Sequence, residues 1–225
     1  MTRNSDANAP AVFTPECRRC ARLAAFLAAT HRRYPNYYAR PVPSFGDPEA
    51  RLLIVGLAPG LHGANATGRP FTGDFAGKLL YETLFQFGLA SQPLSKSADD
   101  ELRLLDCRIT NAVRCVPPEN KPTTEEVRNC NRYLAAELNS VLRPRVILAL
   151  GTVAHAAVLR AAGRKASQHK FAHARVHQLE NGITLVDSYH CSRYNTQTGR
   201  LSVDMFSDVF RIIAALMQAP AAHAP

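Results

Sequence analysis

The chain has 225 residues, 46% of them hydrophobic, enough for one well-filled core without disulfide staples and too apolar for a disordered chain. Its net charge is +9, and 22 of its 27 basic residues are arginine, whose guanidinium matches phosphate bidentately; nucleic acid is the first expected partner, although a GC-rich genome explains an Ala- and Arg-rich chain equally well. No apolar run reaches membrane-span length, and residues 1–10 lack the apolar segment of a secretory signal, so a soluble, cytoplasmic chain without a membrane partner is expected.

Residues 1–15 read as a loose tail, 16–218 as one domain and 219–225 as a second tail. Leu23, Phe26 and Leu27 recur at helical spacing within 18–33, after which Pro35, Pro41, Pro43 and Pro48 break regular structure. Short apolar runs at 51–58, 107–113, 145–151 and 183–188 read as strands, and their lack of alternation suits a sheet covered on both faces. Helical patterns lie between and after them. Residues 78–88 carry Leu79, Leu80, Leu84 and Phe87. Residues 123–142 open with a Thr123/Glu126 capping box and turn Val127, Cys130, Leu134, Leu138 and Val141 inward. Residues 152–162 are Ala-rich, and 201–217 place Phe206, Val209, Phe210 and Ile213 on one stripe behind a Ser202 cap. The expectation is a single α/β domain with a four-stranded, mostly parallel sheet flanked by helices.

The loop after the first strand holds six of the 12 glycines within residues 56–77. It leaves the carboxyl end of a strand, where open α/β sheets bind ligands. Gly73 to Lys78 is one residue short of a P-loop and no G-x-G-x-x-G is present, which disfavours a nucleotide cofactor. What the loop offers is His62, Arg69, Phe71 and Asp74, the last also readable as a plain cap for the next helix. Asn111 ends the second strand and His190 follows the last, so an acid, an amide, an imidazole and an aromatic ring are expected at one edge of the sheet.

Of the six cysteines, Cys17 and Cys20 have the C-x-x-C bite of a metal site, and Cys115 and Cys130 make a second, widely spaced pair. Four such thiolates suit zinc or an iron–sulfur cluster, the long second spacing favouring the larger group. A buried apolar cysteine is the simpler reading for Cys107 but suits Cys17 and Cys20 poorly, with Arg18, Arg19 and Arg22 around them.

Taken together, Gly56-Leu57-Ala58-Pro59-Gly60, Gly68-Arg69-Pro70-Phe71-Thr72-Gly73-Asp74, Thr110-Asn111 leading to Cys115 through Asn120, and His190-Cys191-Ser192 with Asn195 to Arg200 resemble the uracil-DNA glycosylase superfamily, in its iron–sulfur branch and there the family 5 (type B) enzymes. The likeness runs from about Cys17 to Phe210. It implies a [4Fe-4S] cluster on Cys17, Cys20, Cys115 and Cys130, and hydrolysis of the N-glycosidic bond of a deaminated base in DNA, uracil or possible purines such as hypoxanthine and xanthine, leaving an abasic site. It puts Gly56, Ala58, Phe71, Asn111 and Asn120 around the base, Phe71 stacking on it and Asn111 reading its amide edge. His190 lies beside a base carbonyl and Asp74 takes the acidic role. Ala58 stands where other branches carry a polar, water-activating residue, and Cys191 where many members have Pro. Arg164, Lys165, Lys170, Arg175, Arg193 and Arg200 are expected to meet phosphates, in a monomeric protein. Two other readings stay open: a noncatalytic iron–sulfur module that binds nucleic acid, and a zinc-dependent nucleotide hydrolase.

Overall fold

The computed structural model describes residues 12–139, 145–179 and 182–218. The expected tails fall mostly outside them, as do Val141 and Leu142. Among the described residues six strands form one sheet: β1 (Phe45–Gly46), β2 (Leu52–Gly56), β3 (Cys107–Asn111), β4 (Val146–Leu150), β5 (Val176–Gln178) and β6 (Thr184–Ser188). The order is β1-β3-β2-β4-β6-β5. The four expected runs are the parallel centre of this sheet, and the expected strand count is corrected from four to six. β1 and β5 pair antiparallel at the edges; at two and three residues they carry no apolar run that a sequence pattern could register.

The helices are α1 (Ala21–Arg33), α2 (Ala64–Thr67), α3 (Phe75–Gln86), α4 (Thr124–Leu138), α5 (Thr152–Ala161), α6 (Arg193–Gln197) and α7 (Val203–Gln218). Successive strand residues feed two cores. Leu52, Ile54, Ile109, Leu148 and Val186 pack under α3 and α7, while Leu53, Val55, Ile147, Ala149 and Leu185 pack under α4 and α5. Burial on both faces is why β2 and β4 read as unbroken apolar runs and why β3 and β6 do not alternate. Among the described residues no helix is long and apolar enough to cross a membrane.

Helix starts follow local chemistry. Thr123 Oγ1 accepts from the Glu126 N–H at 3.2 Å and Glu126 Oε2 accepts from the Thr123 N–H at 2.8 Å. A cap of this kind is worth about 1 kcal/mol. Ser202 accepts from the Met205 N–H at 3.1 Å ahead of α7. α2 and α6, four and five residues long, are too short for an apolar period to show.

The topology positions the site. The chain passes from β2 to β3 on one side, then crosses back to β4 and β6 on the other, so strand order reverses beside β2. Loops leaving the carboxyl ends on either side of such a reversal part and open a crevice.

Candidate active site

A cavity of about 500 Å³ occupies that crevice. β2 contributes its exit residues Leu57 and Ala58, β3 its last residue Asn111, β4 the turn Leu150-Gly151, and the segment after β6 gives Tyr189 and His190. Phe71 and Asp74 reach it from the glycine-rich loop and Asn120 from the short turn Pro118–Asn120. The acid, the amides, the imidazole and the aromatic ring expected at one edge thus line one cavity.

The loop is folded around these side chains. Phe71 is buried with a φ of +55°, a left-handed conformation costly for a bulky residue, and its ring lies 5.9 Å from the His190 ring at 26°. A Cβ on Gly56 would collide with Asn111 Oδ1 and stand 2.7 Å from Phe71 Cζ, so Gly56 backs the cavity and lets both side chains approach β2. Gly56→Ala is therefore expected to displace the amide and the ring together. The kcat/KM of whatever turnover this cavity performs should fall by about 100-fold, with the far-ultraviolet circular dichroism spectrum preserved.

Asp74 does two things. Its Oδ1 accepts from the Gly77 N–H at 2.8 Å and caps α3, as the plain reading of the sequence has it, while the residue also lines the cavity. Burial raises its carboxyl above the ordinary range, against backbone N–H bonds from Gly77 and Ala76 that lower it. Burial also holds the His190 imidazole down at about 4, so the ring is neutral at physiological pH. Two buried polar atoms of the site, Asn111 Oδ1 and His190 Nδ1, have no hydrogen-bond partner among the described residues. Each such orphan costs about 1–3 kcal/mol unless a polar ligand bonds it.

Of the expected phosphate contacts, Arg193 and Arg200 stand at the cavity, over the rings of Phe75 and Tyr189. Arg164 lines an adjoining groove with Arg160, and Lys165, Lys170 and Arg175 are exposed on the loop between α5 and β5. Arg69 is drawn elsewhere: it is buried, pairs with Asp100, donates to the Ala98 carbonyl at 2.6 Å and ties the glycine-rich loop to the segment before β3. His62 is exposed and bonded to Tyr37 at 2.8 Å. Cys191 is fully buried, and the chain continues into α6 behind a Ser192 cap. Asn195 Nδ2 donates to the His190 carbonyl at 2.8 Å, which braces the histidine from behind.

The structure adds Gly151, Thr152, Phe171 and Tyr189 to the lining. Gly151, with a φ of +94°, directly follows β4, and its place at a strand's carboxyl end was the available signal. Phe171 lies in a long loop whose path no sequence pattern reveals.

Cys17, Cys20, Cys115 and Cys130 line a second, small cavity between α1, α4 and the segment after β3, whereas Cys107 and Cys191 are buried in the core. Arg22 bonds Glu126 at 2.7 Å and the Lys121 carbonyl at 3.1 Å, locking α1 to α4 across this cavity. Three sulfurs accept hydrogen bonds: Cys17 from Tyr133 Oη at 3.3 Å, Cys20 from Asn129 Nδ2 at 3.8 Å and Cys130 from the Arg114 N–H at 3.3 Å. Such donors suit metal-bound thiolates. Among the described residues, only His155, His177 and Asp187 place three ligand atoms within 4.8 Å of one another. Burial pushes Cys130 up to about 11 and raises Cys115 and Cys20 as well, so a cationic centre is needed to hold these sulfurs as thiolates. Four cysteines at one cavity, three of them with hydrogen-bond donors at sulfur, make a donor set suited to a thiolate-bound metal centre.

The sequence model of the uracil DNA glycosylase superfamily matches residues 43–214. A type-5 uracil-DNA glycosylase of Thermus thermophilus is 50% identical over 198 residues, covering 86% of this chain and 90% of its own. One from Pyrobaculum aerophilum is 45% identical over 203 residues, 88% of each chain. A type-4 uracil-DNA glycosylase of the same organism is 38% identical over 134 residues, 59% of this chain and 60% of its own.

Proposed function

Because the chain belongs to the uracil DNA glycosylase superfamily, we propose that its crevice receives a base extruded from DNA and that the residues gathered there cleave the bond to the sugar. The protein is a uracil-DNA glycosylase, a DNA repair hydrolase acting on N-glycosyl bonds. The observation that carries the site assignment is the pair of orphaned polar atoms, Asn111 Oδ1 and His190 Nδ1, in one cavity with a stacking ring.

Extrusion costs a few kcal/mol, least for a mismatched pair such as G·U. Phe71 stacks on the extruded base and Asn111 bonds its amide edge. As the C1′–N bond breaks, positive charge builds on the sugar and negative charge on the base. The Asp74 carboxylate stabilises the first and orients water; its fixation by the α3 N-terminus keeps it ready without rearrangement. The neutral His190 stabilises the second as a hydrogen-bond donor beside a base carbonyl. Ala58 leaves that wall small, which with a cavity of about 500 Å³ supports acceptance of deaminated purines besides uracil. Exposed Lys165, Lys170 and Arg175, with Arg164, Arg193 and Arg200, meet phosphates. A [4Fe-4S] cluster held by Cys17, Cys20, Cys115 and Cys130 would supply a structural cross-link between α1, α4 and the segment leading to Asn120.

Base release measured on duplexes carrying uracil, hypoxanthine or xanthine tests this reading, which fails if uracil is bound but never freed. The pH profile adds detail. Asp74 must be ionised and its carboxyl is raised, so kcat/KM should fall with acid at a pH above the ordinary carboxylate value. His190, down at about 4, stays neutral across that limb and adds no step near the usual histidine pKa.

A further inference from the structure

Outside the cavity, Asp187 of β6 is wholly buried and accepts at both oxygens, Oδ1 from His155 Nδ1 at 2.7 Å and Oδ2 from His177 Nε2 at 2.9 Å. The other nitrogen of His155 lies 2.8 Å from the His169 carbonyl oxygen. A backbone carbonyl can only accept, and so can an ionised carboxylate. Both nitrogens of His155 are thus engaged by oxygen, an arrangement that, beside the Asp187 carboxylate, favours the doubly protonated ring. Its second bond ends on the long loop between α5 and β5, which carries Lys165, Lys170 and Arg175. Phe171 of the same loop meets the His155 ring edge-on at 5.6 Å and lines the catalytic cavity.

We propose that His155 is a positioning residue for DNA engagement: its two N–H bonds pin this basic loop, and with it the Phe171 ring, at the mouth of the cavity. The titratable groups facing it are Asp187 from β6 and His177 from β5, with the His169 ring of the loop packed in turn on His177. Burial opposes the charged ring, but the bond and charge of Asp187 and the His169 carbonyl outweigh it, raising the pKa above 6.5. The clamp is complete below that raised pKa and loses one of its two bonds as pH rises through it.

The kinetic arm of the test rests on the glycosylase reading and the spectroscopic arm does not. The chain has no tryptophan, so Phe171→Trp places one fluorophore on the loop. Its emission is expected to shift in a single transition above pH 6.5, and the transition to vanish when His155→Gln is added. With Phe171 intact, KM for uracil-containing duplex should rise about tenfold through the same pH range at little-changed kcat. His155→Gln should show the higher KM at every pH. Where that variant fails to fold, His155→Gln with Asp187→Asn removes the buried charge together with its partner and takes the same measurements. A fluorescence transition that survives His155→Gln overturns the proposal, as does a KM flat across the range, or bound zinc that is lost on His155→Gln. A transition that follows His155 in a protein releasing no base leaves the clamp standing and overturns the glycosylase reading instead.

Discussion

Asp74→Asn is expected to lower kcat for base release by about 10²–10³-fold, the loss typical of removing one preorganised electrostatic contact to a transition state. Its thermal midpoint should stay within a few degrees of the parent's. Asparagine caps helices as well as aspartate, so the bond to the Gly77 N–H that starts α3 survives while the charge facing the cavity is lost. Asp74→Ala removes both and should cost about 1 kcal/mol of stability in addition. Single-turnover base release and a melting curve on each variant separate the two roles. Parent-like turnover in Asp74→Asn would remove the carboxylate from the mechanism and leave Asp74 a helix cap.

Cys115→Ala is expected to lose iron, sulfide and colour together and to destabilise the fold by more than about 4 kcal/mol, a fall in Tm of about 10 °C at this chain length. The size follows from what the cysteine cavity joins: α1, α4 and the segment after β3 meet there, and Cys17 and Cys20 stand at the very entry to α1. Cys107→Ala is the control. Cys107 is buried in the core away from that cavity, so it should lose some packing energy and keep its iron. A brown, fully folded Cys115→Ala protein would refute the ligand assignment.

The parallel centre of the sheet was legible because Leu52–Gly56 and Val146–Leu150 are nearly unbroken apolar runs, while Cys107–Asn111 and Thr184–Ser188 each keep a short apolar stretch in a mostly buried strand. β1 and β5 were not, since two or three residues at an edge carry no period. The convergence of Asp74, Asn111 and His190 could be anticipated because Asn111 ends β3, His190 lies two residues beyond β6 and Asp74 belongs to the loop that leaves β2, and the topology gathers such positions. Arg69 and His62 shared the same loop yet turn away, because a loop's sequence does not say which side its residues take. The His155–Asp187–His177 network left one trace, a carboxylate inside an otherwise buried strand. Its partners, 32 and 10 residues distant, become neighbours only through the sheet.

The left-handed backbone at Phe71 bears on how this enzyme can change. A Cβ on Gly77 would strike the Phe71 carbonyl oxygen, so the first turn of α3 is pressed against that peptide. With the peptide at 71 held against α3 and its φ at +55°, a new side chain at 71 has little room for a small local shift. Divergence toward other lesions therefore has its freer course at Ala58, which lines the same cavity. In a randomised library selected for release of an altered base, position 58 should tolerate many residues and position 71 few.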